Sequence, residues 1–447
     1  MTFEMMPGQE RRWGFGWSAV LGILVLLAGA EFLWRGPVRF AESSSFNDFI
    51  SPYIQSRAWI QGRDPYSPEN LVRLWPSGVE RFYFLARDLA DGSLVRKRGI
   101  PTAYPPTALV LITPVAVLPW RIAHLVWLAI GVLAYAVTVA SVRSIAHLPW
   151  GARRTYVFLA LALALAPFHT GLAAGSIVIV AVAASVAAMW AAEHQHNVMA
   201  GVLLALAVGL KPQIGLPFFF YCLLRRRWRV TAIVAGGIAI LSALAVLRLA
   251  MSGTPWMQNY LYDNRVLFSY GSLGDFTEKD PIRLGLINLQ VVTYTILGNR
   301  VLANMLALAV AGTMGLAWLL LVSRRGRRAD DLLSLSTIAV LSLLPVYHRL
   351  YDASLLILPL SWSWTALGGG LGRLAKATLL LIMVFLVPGG SALEQLQYAG
   401  RFAALRHWWW YAIVMPHQVW ALFLLGLVLL LAMRAGTDPA IKLNQRS

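Results

Sequence analysis

Charge is what this chain has least of. Charged residues make up 13% of its 447 positions, the acidic ones number 20, and there is one cysteine. A soluble chain is about a quarter charged, so an ordinary water-soluble globular protein is excluded. A lone Cys222 in an apolar run excludes an intramolecular disulfide and leaves the redox compartment open. The net charge of +18 would suit nucleic acid, but the arginine clusters fall between apolar runs, where the positive-inside rule accounts for them. No nucleic-acid partner is therefore expected. β-barrel alternation is absent, and the first apolar run, about 15–34, is too long for a signal-peptide core and lacks a small-residue cleavage site.

Apolar residues fill most of what remains, 58% of the chain, in runs near the length that crosses a ~30 Å hydrocarbon core. The expected fold is an all-α polytopic membrane protein, a single domain over 1–447. Arg11 and Arg12 place the N-terminus in the cytoplasm, so residues 36–103 form a first outer loop. Within it ISPYIQSRAWI is expected as an amphipathic interfacial helix stopped by GRDPYSPEN, and RFYFLARDLADGSLVRKRG as another short surface helix. The chain re-enters at Tyr104, passes through spans near 121–142, 154–170 and 171–192, and then through 201–224 as one span broken at Lys211-Pro212. Residues 230–250 lead out to a second outer loop, 251–300. Spans near 301–322, 331–346, 351–367, 375–390 and 411–433 follow. This threading gives about twelve spans with both ends inside. One stretch resists it: Arg143, Arg153 and Arg154 land outside. No internal repeat is visible, which counts against a transporter built from two related halves.

The acids collect on one side of this threading. Glu42, Asp48, Asp64, Glu69, Glu80, Asp88 and Asp91 fall in the first outer loop, and Asp263, Asp275, Glu278 and Asp280 in the second. Asp352 and Glu193 are placed outside as well. No carboxylate is expected at mid-membrane, where a proton-coupled pump would keep one. Carboxylate chemistry is therefore expected at the outer face of the membrane.

A set of short motifs runs through the chain in order. D-F-x-x-x-x-Y and A-x-x-x-G-x-D-P-Y carry Asp48, Phe49, Tyr53, Ala58, Gly62, Asp64, Pro65 and Tyr66; Y-P-P begins at Tyr104; G-L-K-P-Q covers Gly209 to Gln213; Y-H-R-L-Y-D followed by LLILPL covers Tyr347 to Leu360. The ordered set resembles glycosyltransferase family 87. That resemblance implies a GT-C fold with about twelve transmembrane helices. It also implies an inverting enzyme, most simply a mannosyltransferase, that moves a sugar from a polyprenyl-phosphate carrier to a glycolipid or glycan acceptor at the outer, periplasmic face of a bacterial cytoplasmic membrane. In such enzymes a first-loop carboxylate is the general base, and Asp48 matches it.

Each candidate has a plainer reading. Asp48, following Asn47, could simply cap the helix beginning near Phe49. Asp64 before Pro65 is ordinary turn chemistry, and the aromatic partners in these motifs, Tyr53, Tyr66 and Tyr104, are candidate substrate contacts beside it. His348, Arg349 and Asp352 could bind the departing phosphate or form an interfacial cluster that ends two helices. Lys211 has no acid near it in sequence to pair with, so it either contacts the lipid phosphate or reaches an interface through the helix break. The aromatic run at 406–420 reads as an interfacial belt. His194 and His196 have only Glu193 beside them, which makes a metal site there unexpected, and no D-x-D occurs in the outer loops. Metal-independent chemistry without a cofactor is expected, since a donor with one phosphate needs no bridging ion. The rival from another class is a transporter of lipid-linked sugars, which would not require Asp48; a GT-C enzyme using another polyprenyl-phosphate sugar is the nearer alternative.

Overall fold

The computed structural model describes residues 15–42, 47–79, 83–87, 94–98, 104–251, 253–280, 282–324, 331–398, 400 and 407–436. Arg11, Arg12, Glu80, Asp88 and Asp91 lie outside them. Helices dominate, and a large core of buried aliphatic and aromatic side chains runs through the bundle. Among the described residues five helices are long and apolar enough to cross a membrane: Ala19–Glu42, Trp120–Ile145, Trp228–Ala250, Arg300–Arg324 and His417–Ala435. Arg153–Ala164 and Ala166–Ala174, bent by 45° at Leu165, make a sixth if taken together. The protein is a multi-pass membrane protein.

The first helix runs further than its apolar stretch implies. A π-turn at Trp34–Val38 takes up Pro37, which has no N–H to give the helix ladder, and helical structure continues to Glu42. The polar stretch at 81–99 contains an antiparallel hairpin, Tyr83–Arg87 against Leu94–Arg98, where a surface helix was expected. The aromatic pair Tyr83-Phe84 and the β-branched Val95 are residue types that favour strands.

The helix Ile50–Ile60 exists as expected but does not lie exposed on an interface. Eight of its eleven residues are buried. It packs against Pro106–Ala116, with Ser56 Oγ donating to Leu109 O (3.0 Å) and Tyr53 Oη to Leu118 O (2.9 Å). Trp59 Nε1 and Arg248 Nη2 tie it to the end of Trp228–Ala250, through Ala245 O (3.2 Å) and Ile60 O (2.6 Å). Pro106–Ala116 therefore stays in the layer of the first loop at both of its ends and is not a membrane crossing.

Side-chain contacts at the opposite end of the bundle correct the threading further. Trp190 Nε1 donates to Ser144 Oγ (2.9 Å), and Glu193 lies in the field of His147, Arg227 and Asp331. Asp331 Oδ1 pairs with Arg225 and accepts from Tyr221 (2.7 Å), while Arg227 reaches Oδ2 at 3.3 Å. Trp364 Nε1 donates to Arg154 O (2.8 Å). Residues 144–154, 190–196, 225–229 and 331 thus share one basic end. Asn197–Leu210 and Pro212–Leu224 are not one broken span but a hairpin that climbs about 20 Å, turns at Lys211 and comes back. With 106–116 removed as a crossing and 201–224 counted twice, Arg143, Arg153 and Arg154 join the other arginines. Glu193 moves to the basic end with them.

Candidate active site

At the other end, four segments distant in sequence meet: Asn47-Asp48, Tyr104, the turn at Lys211, and 347–352. Asn47 begins the first. Its Oδ1 accepts from the N–H groups of Phe49 (3.1 Å) and Ile50 (3.2 Å), so Asn47, not Asp48, caps the helix. The Asp48 backbone N–H is held by Ala174 O (2.7 Å), just before Gly175 in a left-handed turn (φ 65°) where a Cβ would collide with the Phe40 ring.

The Asp48 side chain is thereby spared a structural task. Its Oδ2 is enclosed and has no hydrogen-bond partner. Burial pushes the carboxyl up from its ordinary range; a hydrogen bond from Tyr351 and the charges of Arg349 and Lys211 pull the other way, and Asp352 adds to the rise. Tyr104 stands in the same field. Burial, with Asp48 next to it, lifts its phenol well above the usual value and keeps it neutral.

Lys211 has an acidic partner after all, 141 positions away. Nζ lies 2.6 Å from Asp352 Oδ1, and 5.7 Å from the centre of the Tyr351 ring. Pro212 at the first position of the returning helix and the extended backbone of Lys211 (φ −147°, ψ 95°) make the break that lets it reach. Asp352 Oδ2 accepts from His348 Nδ1 (3.0 Å) and from the Arg349 N–H (2.9 Å), while His348 Nε2 meets Ser342 O (3.1 Å). Lys211, His348 and Asp352 are all buried. Both ring nitrogens of His348 are thus committed to the frame around Asp352. Arg349 Nε donates to Tyr347 Oη (3.0 Å) and Nη2 to Leu273 O (2.8 Å), so the 251–300 loop is anchored at this arginine.

Tyr53, Asp64 and Tyr66 do not join the cluster. Tyr53 packs tilted against Phe49 and edge-on to Trp120, and accepts from Arg57 (2.8 Å). Asp64 Oδ1 accepts from the Tyr66 N–H (2.8 Å) and Oδ2 from Asn259 Nδ2 (2.6 Å), closing its turn and pinning it to the helix Trp256–Leu267. Tyr66 Oη donates to Tyr104 O (3.3 Å), which links it to the site. Tyr351 and Tyr347 were missed by sequence reasoning although both lie in the Y-H-R-L-Y-D motif; tyrosines beside charged residues stand out less than the charges do. Among the described residues no three His, Cys, Asp or Glu side chains come together as a metal site.

The arrangement sets a carboxylate with one enclosed, unpartnered oxygen in the field of two cations, a buried Lys211 and a half-buried Arg349. It can accept a proton at Asp48 and stabilise an anion near Lys211 and Arg349. The family model for glycosyltransferase family 87 matches residues 102–346. No curated protein matches the chain. Solved structures similar to it include ArnT from Cupriavidus metallidurans bound to undecaprenyl phosphate, at 12% identity and a TM-score of 0.40, covering 95% of this chain and 78% of that one. The same protein in its apo state is 13% identical with a TM-score of 0.30, covering 93% and 76%.

Proposed function

Because the chain belongs to glycosyltransferase family 87 and so has the GT-C architecture, we propose that it is an inverting enzyme using a polyprenyl-phosphate sugar, with mannose as the sugar, and that Asp48 is its base. The observation that carries this reading is the Asp48 Oδ2, enclosed and without a partner beside Lys211 and Arg349. An acceptor hydroxyl attacks the anomeric carbon and gives its proton to Asp48. The bond from that carbon to the phosphate oxygen breaks, and the polyprenyl phosphate leaves from the opposite face, inverting the centre. A raised carboxyl is the better proton acceptor. Lys211 spends one of its three N–H donors on Asp352 and has others to offer the phosphate, with Arg349 as the second cation.

The acceptor is a glycolipid or glycan, and the chemistry needs no metal, because two side-chain cations stand where a single phosphate departs. With its basic end in the cytoplasm, the site faces the periplasm of a bacterial cytoplasmic membrane. The test is to incubate purified protein with labelled polyprenyl-phosphate mannose and a membrane lipid extract. Label should move to a new glycolipid or glycan with the wild type. Asp48→Asn should slow the transfer by about 10²–10⁴-fold, the usual contribution of a general base. Transfer at the wild-type rate by Asp48→Asn would remove Asp48 as the base; no use of any polyprenyl-phosphate sugar by either protein would sink the enzyme reading in favour of a transporter.

A further inference from the structure

The 251–300 loop brings another carboxylate into the field of Arg349. Leu273 O, on this loop, accepts from Arg349 Nη2, and Ile287 N–H donates to His348 O (3.0 Å); Leu286 and Arg349 form a backbone bridge. Between these anchor points lie two buried acids that behave differently. Asp275 is consumed by its own turn: Oδ2 accepts from the Gly271 N–H (2.7 Å) and the Thr277 hydroxyl (2.8 Å), and Oδ1 from the Thr277 N–H (3.1 Å). Asp280 commits only one oxygen. Its Oδ1 accepts from the Ile282 N–H (3.0 Å), whereas Oδ2 is enclosed with no partner.

Asp280 is 3% exposed and stands in the field of Arg349, Asp275 and Arg283. Burial pushes its carboxyl up to about 6. An enclosed carboxylate oxygen left unpaired carries a desolvation cost that a turn residue has no need to bear, since Oδ1 alone closes the turn. A hydroxyl donor would offset it. Arg349 is also in the field of Asp48, so both unpartnered oxygens belong to carboxyls that feel one cation.

We propose that Asp280 is a sugar-binding residue of the transfer site, its Oδ2 accepting a hydroxyl of the sugar carried on the phosphate at Arg349. This inference rests on the proposed function. It makes the second loop the part of the chain that reads the sugar, while Lys211 and Arg349 read the phosphate.

The test separates those two readings. Purified full-length protein in lipid nanodiscs is titrated with undecaprenyl phosphate and with a panel of polyprenyl-phosphate mannose, glucose and arabinose. The wild type should bind at least one glycosylated lipid more tightly than the bare phosphate. Asp280→Ala should weaken that lipid about ten- to a hundredfold, the range for a hydrogen bond to a charged group, and leave undecaprenyl phosphate within twofold. Asp280→Asn keeps an oxygen for the Ile282 N–H, so it guards against a misfolded loop, and should show a smaller loss confined to the glycosylated lipid. The inference is overturned if either variant binds the glycosylated lipid as the wild type does, if both lipids weaken equally in Asp280→Asn, or if the wild type prefers no glycosylated lipid. A wild type that binds no polyprenyl phosphate at all overturns the proposed function, and this inference with it.

Discussion

Replacing Lys211 by Met should cost more stability than any surface ion pair could. Asp352 is fully buried, and Lys211 is the only charged side chain within hydrogen-bonding distance of its Oδ1 among the described contacts. His348 and the Arg349 N–H stay on Oδ2 in the variant, so half of the carboxylate remains solvated by the protein. Stripping one partner from a buried pair costs about 3–5 kcal/mol, and the retained bonds put this case near about 3 kcal/mol. Asp352→Asn removes the charge that Lys211 neutralises, so the double variant should be less damaged than the two single losses added together. Denaturant unfolding of the four proteins in one detergent gives the coupling energy, expected above about 1 kcal/mol. Losses that simply add, with coupling under about 0.5 kcal/mol, would refute the claim that these residues meet as a buried pair. Activity supplies the second half of the experiment. Lys211→Met/Asp352→Asn should fold yet transfer poorly, because the proposed mechanism then lacks one of its two phosphate-binding cations.

The neighbours Asn47 and Asp48 should separate stability from chemistry. Asn47→Ala removes the cap and should cost about 1 kcal/mol, whereas Asp48→Asn should leave thermal stability unchanged or slightly raised while slowing transfer about 10²–10⁴-fold; a cap effect at Asp48 instead would contradict the assignment. The wild-type rate should also fall with acidification through a carboxyl pKa above the ordinary aspartate value, which a pH–rate profile measures directly. Gly175→Ala should lower stability by about 2–4 kcal/mol, because the residue sits at φ 65° and a methyl there collides with Phe40; an unchanged melting temperature would show that the turn behind Asp48 relaxes freely.

Sequence alone determined the class of molecule and most of the site's parts. Long apolar runs with few charges have no stable home outside a membrane, so the multi-pass helical fold follows from composition and run length. The ordered motifs identified the family, and they contain Asp48, Tyr104, Lys211, His348, Arg349 and Asp352. What they could not tell was which of those residues meet. Nothing local links Lys211 to Asp352, or separates Asp48 from the cap that Asn47 supplies, because an ion pair and a spared oxygen are properties of packed neighbours. The same limit misled the threading. Apolar runs at 104–119 and 201–224 have the length of a crossing, and only tertiary contacts show the first packed in the layer of the 47–79 segment and the second folding back at Lys211. Hydropathy measures how much apolar surface a segment must hide from water. Whether lipid or neighbouring helices hide it is decided by the fold.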